Sequence, residues 1–231
     1  MKTVEIVLPV YNEENILLDN VATLRDFLSV HPGRTWTITI ADNASTDHTY
    51  EIAQSLSDRY PEVSALHLDE KGRGRALRTA WLQSSACIVA YMDIDLATDI
   101  MCFPQLIAAI EEGADIAIGS RLHPYASIKR SFKREMLSRC YNLLIRGMFH
   151  VPFHDAQCGF KALRAQAAQQ LIPRIKDQEW FFDTELLLLA ARQNCRIAEL
   201  PVTWREKEPT SVHIFSTVVR DIAGLLRMRF S

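Results

Sequence analysis

The sequence predicts an α/β chain with a mixed, mostly parallel sheet and helices on both faces. Two observations predict it. From Val4 to Gly119, short β-rich apolar runs alternate with longer segments of helical spacing, the order that builds βαβ units. Four polar clusters, Tyr11–Glu14, Asp42–Asp47, Glu70–Gly74 and Asp93–Asp95, each follow the end of a predicted strand. In a parallel sheet those ends share one rim, and ligands bind outside it.

Each element has its own signal. Val4–Val10 is β-rich and carries Pro9 near its end, as a strand does when it leaves the sheet. Ile16, Leu17, Val21, Leu24, Phe27 and Leu28 give Asn15–Val30 a helical stripe. Thr35–Ala41 reads as a second strand, and Thr49–Tyr60 as a second helix capped by Ser45, Thr46 or Asp47. Val63–Leu68, Gly74–Ser84 and Ala86–Met92 read as strand, helix and strand; Phe103–Glu112 and Asp115–Gly119 as helix and strand. Beyond Gly119 the alternation stops. Arg130–Phe149 predicts an amphipathic helix, and His154–Lys161 a loop with a short strand. Ala165–Leu171 predicts a helix, Asp183–Gln193 a buried helix, Arg196–Trp204 a strand broken by Pro201, and His213–Phe230 a last amphipathic helix. No linker interrupts the chain, so residues 1–231 are read as one domain.

At 231 residues and 48% hydrophobic, the chain can bury a substantial core. A net charge of −2 speaks against a general nucleic-acid binder. The charge is uneven, however. Arg121, Lys129, Arg130, Lys133, Arg134 and Arg139 face the single acid Glu135, which makes either a local anion site or a solvated basic helix face. The five cysteines are odd in number, widely spaced and without zinc-ligand spacing, as expected of reduced thiols in a cytosolic protein. The opening Met1–Ile6 reads as a strand with an early acid, not as a signal peptide. No apolar stretch approaches the ~20 residues that cross a bilayer.

The most informative cluster is Asp93-Ile-Asp95 after the apolar run Ala86–Met92. In a strand, residues i and i+2 face one side, so both carboxylates can reach one hard cation, which takes oxygen ligands together with substrate phosphates. At Pro9–Glu13, Tyr11 and Glu13 can face a base and ribose, or Asn12 can simply cap a turn. Asp42 can accept a hydrogen bond from a base N–H. Lys71-Gly-Arg-Gly-Arg75 opens a helix, where glycines admit a phosphate, yet it is neither a Walker nor a Rossmann fingerprint. Asp155–Lys161 gathers acid, amide, thiol, glycine, aromatic and base; Cys158 as a nucleophile lacks supporting context. Asp183 and Glu185 open an apolar helix, where Asp183 either caps it or faces a substrate.

Together these clusters resemble the family 2 inverting glycosyltransferases of the GT-A (nucleotide-diphospho-sugar transferase) Rossmann-like fold, and most closely the polyprenyl-phosphate (dolichyl- or undecaprenyl-phosphate) sugar transferases. The resemblance rests on Pro9–Glu13, Asp42–Asp47, Gly72–Ala76, Asp93–Ala97, Gly119–Arg121, Arg134–Ser138, Asp155–Lys161 and Phe182–Leu186, in that order. Three departures stand out: Asn43 replaces the second Asp of the nucleotide motif, Arg73 a Lys, and Ala97 a Gln that is a metal-ligand candidate in relatives.

The resemblance implies a donor half, residues 1–120, and an acceptor half, residues 121–231. Pro9, Tyr11, Glu13, Asp42, Lys71, Arg73 and Asp93 would hold a UDP- or GDP-sugar. Asp93 and Asp95 would hold Mg²⁺ or Mn²⁺. Arg121, Asp155 and Gln157 would join them in catalysis. Arg121, Arg134, Ser138 and Lys161, with Arg130 and Lys133 beside them, would bind the acceptor's phosphate. An ionised lipid phosphate needs no general base, whereas a hydroxyl of a glycan or protein does, and Asp155 or Asp183 would then be the base. The apolar stripes of the helices at 130–149 and 213–230 either join the core or lie on a membrane. The expected setting is therefore cytoplasmic and peripheral at the inner face of a membrane. A nucleotidyltransferase and an inactive nucleotide-sugar-binding module are the remaining alternatives.

Overall fold

Strands buried on both faces need apolar side chains at nearly every position, and the computed structural model shows this pattern at the centre of the sheet. The structure describes residues 2–31, 33–206 and 214–230, with side chains in the last segment described from Thr217. The strands are β1 (Lys2–Val10), β2 (Arg34–Asn43), β3 (Val63–Leu68), β4 (Ile88–Met92), β5 (Ile116–Ser120), β6 (Ser127–Lys129), β7 (Phe160–Arg164), β8 (Ile197–Pro201) and β9 (Thr203–Arg205). The helices are α1 (Leu17–Ser29), α2 (Thr49–Arg59), α3 (Arg73–Gln83), α4 (Phe103–Glu111), α5 (Phe132–Phe149), α6 (Ala165–Leu171), α7 (Phe182–Arg192) and α8 (Ile214–Phe230).

One 7-stranded sheet runs β3-β2-β1-β4-β7-β5-β8. Its neighbours are parallel except at β7, which lies antiparallel between β4 and β5. The order reverses at β1, between β2 and β4, which opens the crevice where such sheets bind ligands. Helices cover both faces. One core joins Val7, Val89, Tyr91 and Leu163 to α3, α6 and α7, with Ile145 from α5 and Leu225 and Met228 from α8. The other joins Ile6, Leu8, Ala90 and Ala162 to α1, α2 and α4. Adjacent strand residues divide between the two cores, as the period of two requires.

Two expectations change. The segment read as a loop with a short strand contains the start of β7, which continues to Arg164 in the middle of the sheet. Lys161 hid it, because a charged residue at 0% exposure does not read as core. The strand broken by Pro201 is two strands in two sheets. Pro201 ends β8, and β9 pairs with β6 in a 2-stranded parallel sheet. His213, predicted to begin the last helix, lies outside the described residues.

Candidate active site

Asp93 and Asp95 follow β4 at the crevice. The strand ends at Met92, so strand alternation does not give them a common side. A turn follows the strand instead: Leu96 N donates to Asp93 O (3.1 Å), and Leu96 adopts φ 50°. Ile94 is buried at 3%, and both acids stay partly exposed. Asp95 Oδ1 accepts the Ala97 N–H at 2.9 Å, an Asx turn that fixes it. Asp93 faces Gly159, where a Cβ would stand 1.9 Å from its Oδ2. The glycine is therefore the space into which the carboxylate fits. Two hard carboxylates in one turn suit Mg²⁺ or Mn²⁺ if donor phosphates complete the shell. Among the described residues, no cluster of three or more His, Cys, Asp or Glu offers a fuller protein cage.

The residues expected on the nucleotide side lie at the ends of β1 and β2 and on the loops that follow β1, β2 and β3. Asn12 (φ 56°) does not cap α1. Its Oδ1 accepts from Thr46 N at 2.8 Å and ties the β1–α1 loop to the β2–α2 loop. Glu13 N donates to Thr49 Oγ1 (2.7 Å) and Glu14 N to Asp47 Oδ2 (3.3 Å), completing the seam. Of the predicted caps, Asp47 accepts the Thr49 N–H at 3.0 Å, but His48 stands at the N-cap of α2 and its side chain makes no capping bond. Lys71 Nζ lies 3.4 Å above the Tyr11 ring, a cation–π contact at the mouth of the site. Asn43, the departure from the acidic motif, accepts Gly72 N at 2.5 Å and so holds the glycine loop at the N-terminus of α3. Asp42 is fully buried; its Oδ2 receives His67 Nδ1 at 2.7 Å, and its Oδ1 has no hydrogen-bond partner among the described residues. His67 went unnoticed in the sequence because only the β2–β3 register brings it opposite Asp42.

Beneath the crevice lies a buried ionic cluster. Arg73 Nη1 donates to Asp183 Oδ2 (2.5 Å) and Nη2 to Asp93 Oδ1 (3.0 Å), linking the acidic turn to α7. Lys161 Nζ meets Cys158 O (2.6 Å), Asp183 Oδ1 (2.9 Å) and Tyr91 OH (3.3 Å). Tyr91 OH also donates to Asp183. Burial works to raise the Asp183 carboxyl, but Lys161, Arg73 and the Tyr91 hydroxyl outweigh it and hold it below the usual range. Lys161 was expected at an acceptor phosphate; at 0% exposure with three acceptors around its ammonium, it organises the core of the site instead.

Arg121 and Asp155 form a second buried pair. Arg121 donates from Nε (2.8 Å), Nη2 (2.9 Å) and its backbone N (2.9 Å), a bidentate clasp that leaves Nη1 outside the pair. Burial opposes the Asp155 charge, and the Arg121 guanidinium overrides it, so the carboxyl is held low. Gln157 Nε2 donates to Asp221 Oδ2 on α8 (2.9 Å). Burial pushes the Asp221 carboxyl up to about 6. Cys158 is buried, and burial pushes its thiol up to about 12, which removes it as a nucleophile near neutral pH. Arg134 pairs with Glu206, which also accepts Ser131 N at 3.1 Å, so the N-terminus of α5 is fastened to the end of β9. Ser138 lies one turn further along α5, partly buried. Arg130 pairs with Glu135 at 2.5 Å, and Lys133 is exposed.

The helices α5 and α8 pack together and carry exposed apolar side chains: Phe132, Met136, Leu143 and Leu144 on the first, Val219, Ile222, Leu226 and Phe230 on the second. Ile214 and Phe215, expected on the same stripe, have side chains outside those described. No helix of the described residues is long and apolar enough to cross a membrane.

Residues 5–172 match the model of glycosyl transferase family 2. The chain is 38% identical over 228 residues to Glycosyltransferase AglD of Haloferax volcanii, covering 96% of this chain and 35% of that protein. It is 33% identical to the dolichyl-phosphate beta-glucosyltransferase ALG5C of Trichomonas vaginalis, covering 87% of this chain and 63% of that one. For the dolichyl-phosphate beta-glucosyltransferase of Saccharomyces cerevisiae the identity is 28%, with 98% and 74% covered. The chain thus spans about a third of the first relative and under two thirds of the second. Among solved structures it resembles the glucosyl-3-phosphoglycerate synthase of Mycobacterium tuberculosis crystallised with Mn²⁺, UDP and phosphoglyceric acid. That match has a TM-score of 0.73 at 17% identity and covers 99% of this chain and 78% of that one, a likeness of fold. With the crevice, the acidic turn and the family match in agreement, this chain belongs to glycosyl transferase family 2 and carries the GT-A fold.

Proposed function

We propose that this protein is a metal-dependent inverting glycosyltransferase that moves a hexose from a UDP- or GDP-sugar to a polyprenyl phosphate at a membrane surface. The relatives named dolichyl-phosphate beta-glucosyltransferase support the lipid-phosphate acceptor and favour glucose as the hexose. The observation that carries the reading is the state of the two acids considered as bases for a hydroxyl acceptor. Asp155 and Asp183 are both buried, both ion-paired and both held below the usual carboxylate range. Such groups are poor proton acceptors. A phosphate monoester is already ionised near pH 7 and needs orientation instead.

In this reading Tyr11 and Glu13, just past β1 and its Pro9, and Asp42 near the end of β2 receive the nucleoside. Lys71 lies beside the diphosphate. Asp93 and Asp95 would hold Mg²⁺ or Mn²⁺ there, and a bound ion would supply Lewis-acid neutralisation of the leaving diphosphate. Arg73 keeps Asp93 aimed and joins it to α7. Asp155 fixes Arg121 so that Nη1 meets the acceptor phosphate, and Arg134 and Ser138 extend that anion site along α5. Gln157 holds the loop between the two ion pairs. The halves 1–120 and 121–231 work as one domain because β7 and β8 complete the donor sheet. The exposed apolar faces of α5 and α8 rest on the lipid that carries the acceptor.

The test is incubation of the purified protein and Mn²⁺ with labelled UDP-glucose, UDP-galactose or GDP-mannose and a short polyprenyl phosphate. The reading expects a lipid-extractable sugar and release of the nucleoside diphosphate. Label found only on a glycan or protein hydroxyl would overturn it.

A further inference from the structure

We propose that His67 is a positioning residue that sets the Asp42 carboxylate for the donor's nucleobase. The proposal rests on reading Asp42 as the base-binding acid and adds the residue that aims it. Parallel pairing of β2 and β3 puts His67 directly in register with Asp42. Its Nδ1 lies 2.7 Å from Asp42 Oδ2, so the imidazole donates there. The Tyr50 ring packs 4.5 Å from the imidazole and restricts its rotation. The other ring nitrogen, Nε2, is 3.8 Å from Asp69 Oδ1.

The consequence appears on the far oxygen. Asp42 is 0% exposed, and its Oδ1 has no partner among the described residues. A buried acceptor without a donor is costly, and in native proteins it is completed by ordered water, an ion or a bound ligand. With Oδ2 held by His67, the carboxylate's orientation is set, and Oδ1 is the oxygen left without a donor. A ring N–H, as on uracil or guanine, satisfies it. Cytosine presents an acceptor nitrogen at the corresponding edge and does not. Without His67 the carboxylate is free to rotate, and both oxygens compete for the same N–H. His67 therefore acts through Asp42, on base binding and not on the reacting carbon.

The experiment measures calorimetric binding of UDP, GDP, CDP and inorganic pyrophosphate to the full chain, with donor kinetics alongside. The proposal expects His67→Phe to weaken the better of UDP and GDP about tenfold and to leave pyrophosphate binding within twofold. Donor KM should rise about tenfold while kcat falls less than threefold. His67→Gln, whose amide N–H can reach the carboxylate, should recover most of the loss. In an Asp42→Asn background His67→Phe should add less than twofold. His67→Phe that binds nucleotide like the wild type, weakens pyrophosphate equally, or adds its full effect without Asp42 would overturn the role of His67. If Asp42→Ala itself leaves UDP and GDP binding unchanged, the base-binding reading fails and this proposal falls with it.

Discussion

Gly159→Ala tests the acidic turn with a single methyl group. A Cβ at 159 would lie 1.9 Å from Asp93 Oδ2, 2.4 Å from Cγ and 2.6 Å from Oδ1. The carboxylate oxygen must retreat by at least 1.1 Å to reopen even a 3.0 Å contact. The side chain that yields is short and partly exposed, so the sheet itself need not move. Its retreat breaks the 3.0 Å bond to Arg73 or carries the oxygen away from the proposed metal position. A displacement of about 1 Å at a reacting site costs on the order of a hundredfold in rate. Steady-state kinetics with saturating donor, together with Mn²⁺ affinity from electron paramagnetic resonance, should show that loss with a melting temperature close to wild type. Asp95→Ala sets the floor, with no measurable turnover. Wild-type turnover and Mn²⁺ affinity in Gly159→Ala would refute the placement of Asp93 at the metal.

Three further predictions follow from buried charge and exposed apolar surface. Asp221 has a folded pKa of about 6, above its unfolded value, so its contribution to stability is complete at low pH and is lost as pH rises through about 6. Asp221→Asn should therefore melt above wild type at about pH 7.5, by a ceiling of about 3 kcal/mol, with the gap closing near pH 4; a variant less stable than wild type at neutral pH would contradict this. Arg121→Ala leaves Asp155 charged and buried, and denaturant unfolding should show a loss of about 3–5 kcal/mol; a change under about 1 kcal/mol, within the ordinary range for surface substitutions, would be inconsistent with the pair. Ile222→Glu combined with Leu226→Glu places two acids on the exposed face of α8 and should abolish co-sedimentation with anionic lipid vesicles at unchanged secondary structure. Unaltered sedimentation would move the membrane contact elsewhere.

The fold up to Gly119 was legible because its signals are local. The apolar runs of β1 to β5 and the helical stripes between them read directly, within a few residues at the ends, and the polar clusters after them fall on one rim. What stayed hidden depends on long-range pairing. β7 looks too polar for a central strand because Lys161 is answered by Asp183, on a helix not adjacent in sequence. The basic run from Arg121 left a local anion site and a solvated helix face as alternatives; in the fold Arg121, Arg130 and Arg134 each answer a carboxylate, on Asp155, Glu135 and Glu206, which no local pattern announces. His67 and Asp221 carried no motif; one is defined by strand register and the other by the packing of α8 against Gln157. The acidic pair was read from strand alternation, whereas the strand stops at Met92 and both acids stand in the turn that follows.

In the proposed reaction an anionic phosphate, and not a hydroxyl, attacks the donor sugar. The most direct measurement offers the enzyme a short polyprenyl phosphate and the matching dephosphorylated polyprenol in equal amounts, and reads the products by mass spectrometry. The account predicts glycosyl-phosphate lipid and no glycosylated alcohol across pH 6.5 to 8. Sugar transferred to the alcohol at a comparable rate would contradict it.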